Sequence, residues 1–329
     1  MKTVMAAAAL ALTTAHALPG VAQAAAVQPS EAQIRTAEVN GVTIAYRVTG
    51  PARGRPIVLL PGIGMQLIEW PQELVRILER GGFRVIALDL RDSGGSTRFT
   101  DAGPPDWAAI LPALGEGRQP QTAYTADAMA TDVINLLDHL KIARADILGI
   151  SGGATIGELI AADHPERVRS LAVIAANSGN PAVALPADAK QLEGMAQPAA
   201  NETADAAVAR RVDTARRLAG RGMPFDTEAA TALARQAVAR NDDPFSALRQ
   251  GVPLLALRDL RPRLATIGAP TLVVHGGLDP LVPVQLGREV ANAIPGAIFL
   301  QIPSMGHDLP ARHVREVAGA VLSNARRAR

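Results

Sequence analysis

The sequence has no cysteine among its 329 residues, and aromatic side chains make up only 3% of it. Without cysteine there can be no disulfide, no thiolate metal ligand and no lipid anchor on a cysteine. Positive and negative charges nearly balance, with 33 Lys and Arg against 31 Asp and Glu. The arginines are scattered or lie on helix faces, which is typical of a solvated surface, so we expect no nucleic-acid partner.

Long hydrophobic runs are also missing: no run after the N-terminus approaches the ~18 residues of a membrane span. The first residues differ, because Met1-Lys2 is followed by a short apolar stretch and by the small-x-small pattern Ala22-Gln23-Ala24. These features predict a signal peptide over residues 1–24 and an exported protein, periplasmic or secreted. Cleavage after Ala25 or Ala26, or a disordered Ala-rich tail, are the alternatives.

Short apolar runs alternate with amphipathic stretches along most of the chain. The runs predict strands over 56–62, 84–90, 145–150, 168–177, 269–277 and 297–303, and helices over 69–82, 125–140 and 153–165. Two alternating runs around Asn40-Gly41 predict a β-hairpin. Strands that are apolar on both faces and alternate with helices indicate an α/β fold, with a mostly parallel sheet covered on both sides.

The alternation stops after residue 179 and resumes near residue 263. Residues 180–262 contain no convincing strand but several Ala- and Arg-rich helical stretches. We therefore expect a core formed by residues 25–179 and 263–329, with a helical cap at 180–262 over one end of the sheet. The Pro- and Gly-rich segment 99–121 predicts a second excursion at the edge of the sheet.

One short motif suggests chemistry. Gly149-Ile150-Ser151-Gly152-Gly153 fits the pattern G-x-S-x-G, and it stands between a predicted strand and a predicted helix. A sharp turn at that point lifts the serine hydroxyl above the sheet, while glycines avoid collisions around it. The amides at the start of the helix favour negative charge there. Ser151 is therefore the candidate nucleophile.

A serine needs a base and an acid, which follow it in the chain order Ser, acid, His. His307 lies in the loop after the last predicted strand and is the candidate base. The other downstream histidines are less suitable: His164 ends the helix after the serine, His275 is inside an apolar strand and His313 is in the last helix.

The candidate acid is Asp279, in the loop after the strand at 269–277. An ordinary Asx-turn or helix cap is the structural alternative for this residue. Asp308 is the second choice. It directly follows His307, and the side chains of adjacent residues rarely point the same way. No metal ligand set and no cofactor is predicted.

Backbone amides of Ile63 and Gly152 are the candidate donors of an oxyanion hole, although the turn around Ile63 could be only a strand-to-loop connection. Gly64, Met65 and Trp107 are candidates for lining a substrate pocket.

Two further features have a structural interpretation as well as a functional one. Arg91 and Asp92, in the polar loop 89–96, could face the pocket or form an ion pair that holds the loop. Trp70, on its helix, is more typical of packing than of substrate contact.

With these residues in place, the chain resembles the α/β-hydrolase superfamily over nearly all of its mature length. The stretch "PGIGMQLIEWPQELVRILERGGFRVIALDLRDSGGS" is similar to a branch of serine esterases related to the aclacinomycin methylesterases. The resemblance implies a Ser151–His307–Asp279 triad, an oxyanion hole at Ile63 and Gly152, and a helical cap that shapes the pocket. Many relatives have His-Gly at Pro61-Gly62 and methionine at Gly152, but neither departure touches the triad.

We therefore expect an exported serine hydrolase that cleaves a small-molecule carboxylic ester with an apolar acyl group of small or medium size. The same triad could support perhydrolysis, lactone or amide hydrolysis, C–C bond cleavage or acyl transfer. Outside enzymes, the alternatives are a ligand-binding protein without turnover and a scaffold that associates through the 180–262 helices. The sequence does not indicate an oligomeric state.

Overall fold

A computed structural model describes residues 33–183, 188, 198–241 and 243–328. The predicted signal peptide over residues 1–24 lies outside the described residues. Within them, no helix is both long enough and apolar enough to cross a membrane.

The centre of the molecule is an eight-stranded sheet with the order β1-β2-β4-β3-β5-β6-β7-β8. β1 pairs with β2, and β2 with β4, in antiparallel fashion, whereas all other neighbours are parallel. The strands are β1 (Arg35–Val39), β2 (Val42–Thr49), β3 (Arg55–Leu60), β4 (Phe83–Leu88), β5 (Ala145–Ile150), β6 (Val168–Ile174), β7 (Thr271–Gly276) and β8 (Ile298–Ile302). The predicted mostly parallel α/β sheet is confirmed.

The hairpin between β1 and β2 has the predicted two-residue turn. Asn40 and Gly41 have φ values of 51° and 75°, which suit a type I′ turn, the tight connection that matches the twist of paired strands.

Ten helices occur in the described part of the chain, apart from short 3₁₀ turns. They are α1 (Gln72–Arg80), α2 (Trp107–Gly115), α3 (Ala126–His139), α4 (Gly152–Asp163), α5 (Ala204–Leu218), α6 (Thr227–Arg240), α7 (Ser246–Leu255), α8 (Arg261–Leu264), α9 (Val284–Ala293) and α10 (Ala311–Arg326).

The hydrophobic core lies on both faces of the sheet. One cluster packs α3, α4 and α9 against one face, with Val58 and Leu60 of β3 among its members. The other packs α1 and α10 against the opposite face, where Ile57 and Leu59 point. Trp70 belongs to this second cluster and is buried, as expected for a packing residue.

The segment between β6 and β7 contains the next helices of the chain, joined by turns and irregular backbone. It contains α5, α6, α7 and α8, and no strand among its described residues. α8 runs past the predicted boundary at 262, and residues 184–187, 189–197 and 242 of the predicted cap lie outside the described residues.

The excursion at 99–121 contains a helix that the sequence pattern did not predict. α2 begins after Asp106, whose carboxylate accepts hydrogen bonds from the amides of Ala108 and Ala109 and so caps the helix. Pro112 lies inside α2, and a proline in a Gly- and Pro-rich stretch argues against a helix when only the sequence is considered.

Candidate active site

Ser151 occupies the sharp corner between β5 and α4. Its backbone has φ 53° and ψ −120°, a strained conformation for a residue with a side chain. Glycine is required around it by close backbone approaches. A Cβ built on Gly149 would lie 2.3 Å from the carbonyl oxygen of Gly153, and one on Gly153 would lie 2.1 Å from that of Leu60. The glycines thus allow the corner to press against β3.

The hydroxyl of Ser151 meets the imidazole that the sequence suggested. Its Oγ is 2.8 Å from Nε2 of His307, and Nδ1 of His307 is 2.7 Å from Oδ2 of Asp279. His307 and Asp279 are both 7% exposed, so water barely reaches the pair. The backbone amide of His307 also donates to the carbonyl of Leu218, the last residue of α5, at 2.8 Å. The three predicted residues therefore form one hydrogen-bonded chain.

The two carboxylate oxygens of Asp279 have different hydrogen-bond partners. Oδ1 accepts from the amides of Leu281 at 2.9 Å and Val282 at 2.8 Å, while Oδ2 faces His307. The local turn that we considered as an alternative is thus present and orients the acid. Burial alone would raise the pKa of Asp279, but the His307 charge and the hydrogen bonds hold that pKa below its ordinary value. Asp279 therefore faces His307 as a carboxylate.

His275 is a neighbour of the acid that sequence reasoning set aside. Its side chain is fully buried, and its Nε2 lies 3.0 Å from the carbonyl oxygen of Val282 and 3.5 Å from Oδ2 of Asp279. The Val282 carbonyl requires the tautomer with hydrogen on Nε2. His275 therefore packs behind the acid. The only sequence signal was its position four residues before Asp279, at the end of an apolar strand.

The two candidate oxyanion amides lie side by side next to the serine. A Cβ built on Gly152 would be 3.4 Å from the nitrogen of Ile63, and one on Gly62 would be 3.4 Å from Cβ of Ser151. In the described part of the chain, neither the Ile63 nor the Gly152 amide has a hydrogen-bond acceptor. Both N–H groups are therefore free beside Ser151.

The predicted pocket residues separate into two groups. Gly64 and Met65 belong to the turn beside Ser151, closed by a 3.1 Å hydrogen bond from the Met65 amide to the Gly62 carbonyl. Trp107 is the half-buried first residue of α2. In the described part of the chain, no side-chain hydrogen bond and no ring contact joins Trp107 to the triad, so its pocket role stays a prediction.

A cleft of about 400 Å³ lies between the end of α2, the segment after β6 and α7. Its lining is mixed: five leucines, among them Leu254 and Leu286, stand beside the polar Asn177, Asn180 and Arg258. Leu254 links the cleft to the site, because a Cβ built on Gly152 would lie 2.8 Å from its Cδ1. The side chains nearest to Gly152, those of Ile63 and Leu254, are apolar.

Arg91 and Asp92 hold the loop, but not by pairing with each other. Arg91 forms a two-pronged ion pair with Asp132 of α3, at 2.6 and 2.7 Å. Asp92, fully buried, pairs with Arg249 of α7 at 2.8 and 2.9 Å. Both residues lie in a turn, where Asp92 has φ 65°. Their side chains reach different helices, and Asp92 joins the loop to α7.

Asp308, the second choice for the acid, is not in the hydrogen-bonded chain. One of its carboxylate oxygens is buried without a partner among the described residues, and burial raises the pKa of Asp308. In the described residues there is also no group of three or more side chains arranged to hold a metal ion.

Comparison with known proteins agrees with this geometry. The sequence profile of the alpha/beta hydrolase fold matches residues 55–313. The chain belongs to the α/β-hydrolase family. It is 31% identical to rhodomycin D methylesterase of Streptomyces peucetius over 87% of this chain and 96% of that enzyme. The predicted resemblance to the methylesterase branch, and the prediction of a hydrolase, are thereby confirmed.

Two further relatives are named as lactonases. The chain is 28% identical to 3-oxoadipate enol-lactonase 2 of Acinetobacter baylyi over 79% of this chain and 84% of that protein. Among solved structures, the enol-lactonase of Burkholderia xenovorans superposes with a TM-score of 0.66 at 25% identity, over 88% of this chain and 99% of that one.

Proposed function

We propose that this α/β-hydrolase is a serine hydrolase of carboxylic esters, with Ser151 as nucleophile, His307 as general base and Asp279 as the acid. The observation that carries the proposal is the buried hydrogen-bond chain of 2.8 and 2.7 Å that starts at the strained corner. A hydroxyl alone is a weak nucleophile, and this chain supplies the base and its orientation.

The reaction proceeds in two halves. Ser151 Oγ attacks the ester carbonyl while its proton passes to His307 Nε2, and Asp279 stabilises the imidazolium ion. The tetrahedral oxyanion accepts hydrogen bonds from the Ile63 and Gly152 amides. His307 then protonates the leaving alcohol. In the second half His307 takes a proton from water, the hydroxide attacks the acyl-enzyme, and the acid leaves as Ser151 recovers its proton.

The proposed substrate is a small-molecule ester with an apolar group of small or medium size. The side chains of Ile63 and Leu254 beside Gly152 support an apolar group, and Leu254 also lines a cleft of about 400 Å³. The similarity to a methylesterase supports methyl esters as members of the class. No metal and no organic cofactor takes part in the proposed steps.

Lactone hydrolysis is the second candidate, because it breaks the same acyl–oxygen bond and two relatives are named enol-lactonases. The alcohol then stays attached to the acyl group, so the site must hold a ring in one piece. Relative rates on open esters and on lactones of equal carbon number distinguish the two.

The test is hydrolysis of p-nitrophenyl esters from acetate to laurate, with methyl esters and lactones alongside, by the mature protein and Ser151→Ala. We expect turnover that the variant loses and a best chain length set by the space beside Ser151. Rates equal to background for every substrate would refute the esterase proposal. Labelling of Ser151 by a fluorophosphonate would then still separate a specialised hydrolase from a ligand-binding protein.

We also propose that the protein is exported and that residues 1–24 are removed. The N-terminal pattern of charge, apolar stretch and small residues supports this. Intact-mass measurement on protein recovered outside the cytoplasm tests it: a mass that includes Met1 and the apolar stretch would refute cleavage.

A further inference from the structure

One face of helix α7 covers the turn that carries the Ile63 amide. A Cβ built on Gly64 would lie 2.8 Å from Cβ of Ala247, one on Gly251 would lie 3.9 Å from Cδ1 of Ile63, and Leu254 reaches Gly152. Positions 247, 251 and 254 share one side of a helix, because residues three and four apart are neighbours on its surface. A single cap helix therefore lies over both oxyanion donors.

Gln250 lies on the same face and makes two hydrogen bonds to core loops. Its Oε1 accepts from the backbone amide of Gly64 at 2.7 Å, and its Nε2 donates to the carbonyl of Arg91 at 2.6 Å. The side chain is fully buried. A buried amide with both ends bonded cannot turn without leaving a polar group unsatisfied, which costs about 1–3 kcal/mol.

The carbonyl of Gly64 is held from the cap as well. Both terminal nitrogens of Arg211, on α5, lie 3.2–3.3 Å from that oxygen, and one of them pairs with Glu69 at 2.8 Å. The amide and the carbonyl of Gly64 are thus each bound by a cap side chain.

The contacts of Gln250 and Arg211 with Gly64 matter because of the type of turn that Gly64 belongs to. The turn Gly62–Met65 is closed by its own hydrogen bond, and Gly64 has φ 70° while Ile63 is not among the positive-φ residues. These values suit the third position of a type II turn. Rotation of the peptide between Ile63 and Gly64 would convert the turn to another type and move the Gly64 N–H, so its hydrogen bond to Gln250 opposes that rotation. Arg211 holds the carbonyl of the following peptide.

We propose that Gln250 is a positioning residue for the oxyanion hole, and that the hole reaches its working geometry only when α7 is docked. The inference rests on the proposed serine-hydrolase function and assigns to the cap a task beyond shaping the pocket. Gln250 does not touch the substrate. It acts through Gly64, by keeping the turn in the conformation that points the Ile63 amide at the developing oxyanion.

The test compares Gln250→Met with Gln236→Met. Gln236 is an exposed residue of α6, so the control makes the same chemical change elsewhere on the cap. The readouts are kcat and KM for the best p-nitrophenyl ester, and inhibition by a trifluoromethyl ketone, which forms a tetrahedral adduct with an oxyanion. Thermal unfolding of each variant accompanies the kinetics.

We expect Gln250→Met to lower kcat by about 10- to 100-fold, the loss typical of a displaced catalytic group. KM should change by less than about 2-fold, because the amide matters most when charge has developed. The trifluoromethyl ketone should bind more weakly by a similar factor. A kcat equal to that of Gln236→Met, or a rise in KM alone, would overturn the proposal.

Arg211→Met decides the matter if Gln250→Met fails to fold. Arg211 keeps 24% of its side chain exposed, so its replacement disturbs packing less. We expect a kcat loss of about 3- to 10-fold with KM again unchanged, since one of the two contacts to Gly64 remains. Parent-like kcat in this variant would overturn the proposal.

The parent and Ser151→Ala are measured beside these variants. A parent without turnover overturns the proposed function and the positioning role together. An active parent with unaffected Gln250→Met and Arg211→Met overturns the positioning role alone.

Discussion

The sharpest stability test concerns Glu158, a buried acid two turns along α4 from the nucleophile. It is 1% exposed, and neither carboxylate oxygen has a hydrogen-bond partner among the described residues. Burial raises the pKa of Glu158 well above its ordinary value, because an unpaired charge is costly away from water. The folded protein therefore holds a proton here that the unfolded chain releases at lower pH.

The sign and size of the effect follow from proton linkage. Above the ordinary carboxyl range the native state binds one more proton than the unfolded state, so the free energy of unfolding falls as pH rises. The slope is about 1.4 kcal/mol per pH unit for one proton. It persists until the raised native pKa is reached. Across two such pH units the loss amounts to about 2.7 kcal/mol.

Glu158→Gln keeps the shape and removes the titration. Relative to this variant, the parent should lose stability as pH rises above the ordinary carboxyl range, until the raised native pKa is passed. Urea unfolding at a series of pH values measures the difference. Glu166→Gln is the matched control, since Glu166 is exposed just after the same helix, and its curve should run parallel to the parent. If the Glu158→Gln curve also ran parallel, the idea of a buried, protonated Glu158 would be refuted.

Three further predictions concern the site and its supports. Asp279→Asn should leave the protein folded and lower kcat by about 10⁴-fold, because His307 loses its orienting carboxylate; steady-state kinetics with folding checked by circular dichroism would show this, and a loss below 10-fold would contradict it. Gly153→Ala should prevent soluble expression, as the new Cβ would lie 2.1 Å from a carbonyl oxygen of β3; a parent-like melting temperature would rule that out. Arg249→Met should lower the free energy of unfolding by about 3–5 kcal/mol, because it leaves Asp92 charged and buried; a change under about 1 kcal/mol in denaturant unfolding would show that the pair is not needed.

Much of the local structure followed from sequence patterns, because it depends on neighbours in the chain. Asn40-Gly41 indicated the tight hairpin, and the glycines around Ser151 indicated the strained corner. The candidate histidine and acid could be chosen because loops after parallel strands meet at one edge of the sheet. The structure brings those three side chains together.

Other features of the site depend on contacts between distant segments, which carry no local signal. The pairing of Asp92 with Arg249 joins residues 157 apart, and the hydrogen bond from Gly64 to Gln250 joins residues 186 apart. Nothing in either stretch identifies its partner. His275 similarly reads as one more member of a buried strand until β7 and the following turn place it behind the acid.

The sequence by itself thus determined the α/β alternation, the hairpin and the serine corner, since each needs only the spacing of apolar residues and the backbone freedom of glycine. The tertiary structure decided which helix lies over the oxyanion turn and which charges neutralise one another. The physical reason is that buried polar groups must be hydrogen-bonded or ion-paired. Which partners they have depends on how the helices between β6 and β7 pack on the sheet.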